Sequence, residues 1–380
     1  MNRENRLLIV GDLFPVPSNF VRFSEGDIVS LFGERICDLF GSVDYRVCNL
    51  EGALTDNPGK CDKTGPSLYA PSSCIQALKS LGINCCTLAN NHVTDAGAEG
   101  VLDTISVLNS AGISHIGAGC LSNIKRHLLI TVGDKTICLY NVAETMYNAP
   151  TEDTPGAFLY DEYVVCHDLE RLKGLSDYII VIYHGGAEKF RYASPQTRLR
   201  FHRMVDSGAN MILSQHTHCI GSEEYYKGAY LLYGQGNFLF RSFNNEFTDT
   251  GLIIELSFKD NQPIINKHLV RAVDDRVMYD ENQDFSGFYE RSSHYNDVGF
   301  LQKAFHEYCR DELALYLNAF KGKYPFFRVL GRFFPKLRNR YVRKSYTRNQ
   351  LLFTLHSLRS EQNREIAIEG IKSLLEECVD

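Results

Sequence analysis

The apolar positions of the chain fall in short runs, and several runs stop on polar residues. Leu7–Val10 ends at Gly11-Asp12, and Tyr45–Cys48 ends at Asn49-Leu50-Glu51. Asn84–Leu88 leads to Asn90-Asn91-His92, Tyr178–Tyr183 to His184-Gly185-Gly186, and Asn210–Leu213 to Gln215-His216-Thr217-His218. Thr136–Val142 and Tyr230–Tyr233 are similar runs. Runs of this length and composition predict strands. Helical spacing lies between some of them: Ile75, Leu78 and Leu81 follow Pro71, and Val101, Ile105 and Leu108 recur within 98–111. The alternation predicts β-loop-α units in an α/β core, with polar residues gathered outside the carboxyl ends of the strands.

Farther along, Leu252–Phe258 predicts another strand, and Pro263–Val270 can pair with it across a turn at Lys259-Asp260-Asn261-Gln262. Val273–Asn296 is polar and Asp-rich, so the core is expected to end near residue 285. Val298–Phe320 has helical spacing and 349–377 reads as one or two more helices. The predicted organisation is therefore an α/β domain over 1–285 and a helical, basic appendage over 286–380.

Composition changes this picture in three places. A chain of 380 residues with 44% hydrophobic content can bury a large core and carry a second module. The formal charge of −6 says little about partners, but Lys321–Arg348 contains ten Lys or Arg and no Asp or Glu, which predicts a local basic surface. Within it, Phe326, Phe327, Phe333 and Phe334 accompany Arg328, Arg332 and Lys336. The segment 324–348 then reads either as a peripheral contact with an anionic membrane face or membrane-linked polymer, or as aromatics packed on the core beneath a solvated basic rim. Gly331 and Pro335 oppose a continuous helix there. Nucleic acid is not the expected partner, since no zinc finger, arginine-glycine repeat or recognition-helix pattern is present, and no pattern specifies an oligomer. The twelve cysteines are scattered, which favours free thiols in a reducing compartment. No apolar stretch approaches 18 residues, so the expected location is cytoplasmic, with peripheral membrane contact left open.

The polar run ends carry the candidate chemistry. Asp12, Glu51, Asn91, His92, His184, His216 and His218 supply two carboxylates, an asparagine and four histidines, a mixture suited to Mn, Fe or Zn. Each has an ordinary alternative: Asp12 as a turn or cap, Glu51 as a cap, one histidine as a packed or surface group. Gly11 is read as allowing a tight turn before Asp12. His216 and His218, two apart, would point the same way in extended backbone. Asp95 is read either as the orienting partner of His92 or as the cap of the helix beginning near Gly97.

Together, Gly11-Asp12, Asn49-Leu50-Glu51-Gly52, Asn90-Asn91-His92-Val93-Thr94-Asp95, His184-Gly185-Gly186-Ala187-Glu188, Gln215-His216-Thr217-His218 and Gly234-Gln235-Gly236-Asn237-Phe238 resemble the bacterial capsule-synthesis family CapA, or poly-gamma-glutamate synthesis protein, related to calcineurin-like metallophosphoesterases. The resemblance covers about residues 6–270. It implies a four-layer α/β/β/α sandwich and a centre for two divalent ions. By the same resemblance, Asp12 and His218 hold one ion, Asn91, His184 and His216 the other, Glu51 bridges or sits beside both, and His92 is the general acid, with Asp95 behind it. Asn49, Glu188, Gln196, Gln235 and Asn237 become candidate substrate contacts, with loop ordering and backbone satisfaction as their alternatives. Phe14 stands where ordinary metallophosphoesterases carry a histidine, which weakens the expectation of simple phosphomonoesterase chemistry. The implied function is a metal-dependent hydrolase or transferase in capsule or exopolymer metabolism, acting on an anionic polymer. General phosphoesterase activity and a non-catalytic accessory role are the alternatives.

Overall fold

The structure, a computed structural model, describes residues 5–61, 66–145, 149–240, 245–320 and 334, with side chains in the last helix described through 309. Its first sheet contains β1 (Arg6–Leu13), β2 (Tyr45–Leu50), β3 (Cys85–Thr87) and β4 (Ser114–Ile116). The second sheet contains β5 (His127–Val132), β6 (Lys135–Ala143), β7 (Tyr178–His184), β8 (Met211–Gln215), β9 (Glu223–Tyr226) and β10 (Ala229–Leu232). The chain then returns to the first sheet with β11 (Asn237–Leu239), β12 (Thr250–Lys259), β13 (Gln262–Val273) and β14 (Arg276–Tyr279). The first sheet runs β14-β13-β12-β1-β2-β3-β4, with β11 also pairing β1, and the second runs β9-β10-β8-β7-β6-β5.

The division of apolar side chains within single strands builds four layers. In β1, Leu7 and Ile9 join Ile137, Leu139, Ile180, Ile182, Met211 and Leu213 between the sheets. Leu8 and Val10 point to the opposite face, where they meet Leu31, Phe32 and Ile36 of the helix Ile28–Gly41, Leu78 of Ile75–Ser80 and Val101 of Gly97–Ser110. On the second sheet, Tyr140, Val142, Ile179 and Val181 cover Val165 and Leu169 of helix Glu162–Leu172 and Phe201 and Met204 of helix Pro195–Asp206. Strand alternation delivers consecutive residues to opposite faces, so a strand covered on both sides must be apolar throughout. Burying each large aliphatic side chain contributes about 1.5–3 kcal/mol. The outcome is the expected four-layer α/β/β/α sandwich.

The β12–β13 turn forms where expected: Lys259 pairs with Gln262, and Asp260 and Asn261 both take positive φ, the backbone hand that a two-residue hairpin needs. The domain boundary differs from the sequence reading. Residues 286–302 do not belong to an appendage, because Phe288 enters the inter-sheet core while Tyr295 and Leu301 pack with the outer face of the second sheet. The two compact units are Met1–Gln302 and Lys303–Asp380. The polarity of 273–296 concealed β14 and the helix Ser286–Ser293, which bury only occasional apolar side chains. A helix continues over Val298–Phe320. The segments 324–348 and 349–377 lie outside the described residues apart from Phe334. Among the described residues the cysteines are free thiols, and no helix is long and apolar enough to cross a membrane.

Candidate metal centre

Both sheets bring their carboxyl ends to one place. On β1, Asp12 lies in register with Asn49 of β2 and with Asn237 of β11, while His184 at the end of β7 pairs with Gln215 of β8. Gly11 sits inside β1 without a positive φ, so its part is not the tight turn read from sequence. A Cβ there would lie 2.1 Å from Gly236 O, and glycine is what lets the 234–237 backbone reach β1. That approach sets Asn237 beside Asp12.

Fully buried Asp12 is held by Asn49 Nδ2, which donates to its Oδ1 at 2.7 Å, and by the His216 backbone N–H, which donates to its Oδ2 at 3.0 Å. Asn49 Oδ1 in turn accepts from Asn90 Nδ2 at 3.1 Å, and Asn90 also donates to Leu50 O at 2.9 Å. These buried amides fix the Asp12 carboxylate and the 49–51 and 90–92 turns as one network. Ala89 N–H donates to Asn141 Oδ1 at 2.8 Å, while Asn141 Nδ2 donates to Ile182 O at 3.0 Å, which ties the 88–92 turn to the second sheet. Asn141 was not singled out in the sequence, although an asparagine inside Thr136–Val142 was a visible interruption. Glu144, also missed, follows β6 at the same level and accepts from Gly186 N–H at 2.8 Å.

Glu51 stands at the centre. Its Oε1 lies 3.6 Å from His184 Nε2, 3.9 Å from His92 Nε2 and 4.0 Å from His218 Nε2. Two ligand groups share it: Glu51 with His184 and His216, and Asp12 with Glu51 and His218. Asn91 Oδ1 faces His184 Nε2 at 2.9 Å, adding an oxygen to the first group. His218 is oriented through Nδ1–H, which donates to Asn237 Oδ1 at 2.8 Å and leaves Nε2 toward Glu51. Ring centroids of His184 and His216 are 4.9 Å apart.

His216 and His218 adopt φ of 85° and 52°, so they do not lie in extended backbone, and two-residue periodicity is not what brings them together. Such conformations cost about 1–3 kcal/mol each for a non-glycine residue and are sustained by their surroundings. Here the surroundings include the His216 N–H to Asp12 bond.

The donor set fits divalent cations. Both Glu51 oxygens and His216 Nδ1 are buried and find no hydrogen-bond partner, an expensive arrangement without a cation. Burial, followed by the Asp12 charge, pushes the Glu51 carboxyl well above its usual range. Burial, followed by the neighbouring imidazoles, holds His184 well below the usual histidine value, and burial with His218 brings His216 down to about 4. Neutral imidazoles keep lone pairs for metal, and cations beside Glu51 offset the cost of its charge.

His92 stands at the rim of this group. Its Nδ1–H donates to Asp95 Oδ2 at 2.6 Å, and the same oxygen accepts from Leu68 N–H at 2.7 Å. The helix after Asp95 takes Ala96 as its N-cap with no side-chain cap, so Asp95 serves His92 and the 68 loop rather than the helix. Phe14 is buried in the core, against Gly52, and adds an apolar wall.

The five candidate substrate contacts separate. Asn49 is buried under Asp12, where it holds that carboxylate and the Asn90 amide, and Gln235 is buried with its Nε2 donating to Ile9 O and Leu252 O at 2.8 and 3.0 Å, which ties the β1 and β12 backbone together. Asn237 orients His218 and donates to Thr248 O at 2.7 Å. Glu188 is exposed, and its charge reaches Glu51 and His216, which places it beside the centre. Gln196 is exposed in the first turn of Pro195–Asp206, where Ser194 supplies the cap.

A model of the bacterial capsule synthesis protein PGA_cap matches residues 6–242. The chain is 29% identical over 212 residues to the capsule biosynthesis protein CapA of Bacillus anthracis, covering 54% of this chain and 51% of that protein. It is 30% identical over 222 residues to a probable polyglutamine synthesis accessory protein of Mycobacterium tuberculosis, covering 54% of this chain and 58% of that one. It thus spans little more than half the length of these curated relatives. A solved structure of a novel phosphatase from Mycoplasma pneumoniae aligns with a TM-score of 0.47 and 14% identity over 74% of this chain and 98% of its own. Since the matched span runs from the start of β1 past Asn237 and includes all the site residues, the chain belongs to the bacterial capsule synthesis protein family.

Proposed function

We propose that this protein is a two-metal hydrolase or transferase of capsule or exopolymer metabolism, acting at a glutamyl amide bond of an anionic polymer. The observation that carries the reading is Glu51: two buried oxygens without donors, shared between two ligand groups. Asn91, His184 and His216 would hold one ion, Asp12 and His218 the other, with Glu51 common to both. Bound Mn, Fe or Zn would supply Lewis acidity toward the scissile group and favour an ionised water as nucleophile.

The chain's own groups account for the rest. Asp95 holds His92 with Nδ1 protonated, so that Nε2 faces the centre and the carboxylate stabilises the ring when it carries two protons. His92 Nε2 then gives its proton to the leaving amide nitrogen, or to oxygen in an ester. Asn49 and the His216 backbone N–H keep the Asp12 carboxylate from rotating. The relatives named for capsule and polyglutamine synthesis support a glutamyl substrate. Phe14 favours a second reading: an apolar side chain in place of a second imidazole leaves the Asp12 group poorer in ligands, which suits an accessory protein that binds polymer without turning it over.

A turnover screen separates these. With Mn, Zn and Fe supplied in turn, the purified protein is expected to cleave or transfer γ-linked glutamyl oligomers, to stop on chelation and to recover on readdition. Turnover of phosphoesters alone would overturn the substrate class, and full metal loading with no turnover of either class would establish the accessory reading.

A further inference from the structure

A second charged cavity opens among the loops that follow the metal ligands. It has a volume of about 300 Å³, and three arginines line it, Arg191, Arg271 and Arg291, with Glu246, Asp284 and Phe288. Arg191 lies on the loop after His184, and Arg291 Nε donates to Gly221 O at 3.1 Å on the loop after His218. Its charges are unevenly matched. Arg271 meets Asp280 at 3.4 Å, and Arg191 meets Glu246 at 2.7 Å, a carboxylate whose side chain is 69% exposed. The hydrogen bonds of Arg291 go to the Gly221 and Ile220 carbonyls.

Two further observations point to an anion-binding site. Arg191 Nε is buried without a hydrogen-bond partner. Burial and the repulsion of Arg191 push the Arg291 guanidinium below its usual value, the mark of two cations crowded into one partly dry space. Buried cations call for a carboxylate or phosphate, and planar guanidinium forks suit one that accepts two bonds. Glu246, largely in water, is a weak competitor.

The cavity also connects with the metal centre. Arg191 stacks over Phe247 at 4.2 Å, Thr250 Oγ1 donates to Glu246 O at 2.7 Å, and Asn237 donates to Thr248 O while its own oxygen holds His218. The loop 245–250 therefore forms a wall of the cavity and a support of the Asp12–His218 group.

We propose that this cavity seats a pendant carboxylate, the free α-carboxylate of a γ-linked glutamyl residue, of an acidic chain whose reacting bond lies at the metal centre, with Arg191 and Arg291 as the clamp. The proposal rests on the polymer substrate above, and the two can fail separately. Calorimetric titration of a γ-linked glutamyl oligomer into the metal-loaded His92→Ala protein avoids consuming the probe. Saturable binding that weakens with salt is expected. Adding Arg191→Gln or Arg291→Gln should weaken it roughly tenfold or more, as losing a charge-assisted bond does, while Arg291→Lys, which keeps the charge and loses the fork, should fall between the parent and Arg291→Gln. Arg191→Gln leaves the carbonyl bonds of Arg291 intact, and an unchanged melting temperature confirms that its effect is local. Equal oligomer affinity in the parent and both Gln variants would overturn the proposal, as would binding of inorganic phosphate without binding of the oligomer. If the Arg variants lose the oligomer while the unmodified protein turns nothing over, the clamp stands and the hydrolase reading fails. If turnover proceeds with KM unchanged in both Arg variants, the reverse holds.

Discussion

Replacing His216 with alanine is expected to remove one of two bound divalent ions and to lower turnover by at least about 100-fold. Loss of groups that merely orient a metal ligand typically costs 10–100-fold, and a direct ligand should exceed that range. The side chain is well placed for so large an effect: it is buried, its Nδ1 lacks a protein partner, and it shares a ligand group with Glu51 and His184. The other group, Asp12 with Glu51 and His218, does not include it, so one ion should remain. Metal analysis of the folded variant, beside steady-state kinetics, checks this. Two ions and unchanged kinetics would remove His216 from the ligands.

Replacing His92 with alanine should leave both ions bound while turnover falls by about 10²–10⁴, the usual contribution of a positioned acid. Substrates with good leaving groups should lose less, because they need less help from a proton at the departing atom. What separates this residue from the ligands is that it belongs to neither group of mutually close donor atoms around Glu51, while its Nδ1 is engaged by Asp95. Loss of both ions in a folded His92→Ala protein would make it a ligand or an essential support, and equal losses for good and poor leaving groups would end its assignment as acid.

The ends of the apolar runs were the legible part of the site. Asp12, Glu51, Asn91, His184, His216 and His218 each terminate or follow a strand, and a polar group in that position is costly unless something at the sheet edge engages it. Less legible was how those residues are held. Asn49 and Gln235 read as substrate contacts because sequence does not reveal that Asn49 lies beneath Asp12, or that Gln235 satisfies carbonyls of β1 and β12. The positive φ at His216 and His218 was hidden for a related reason: nothing in Gln-His-Thr-His calls for it, and it depends on a bond to an aspartate some two hundred positions earlier. Strand runs such as Leu7–Val10 showed that both faces are covered, though not which residue faces which layer. The helix Pro195–Asp206 was readable from Ser194-Pro195, a cap followed by proline in the first turn, but its largely polar surface weakened the periodic signal.

The central claim is that Glu51 is shared by two cations. Anomalous diffraction from crystals of the full-length protein grown with Mn tests it most directly. Two peaks flanking the Glu51 carboxylate are predicted, one among Asn91, His184 and His216 and the other beside Asp12 and His218. A single peak, or none, in metal-saturated crystals would contradict the account.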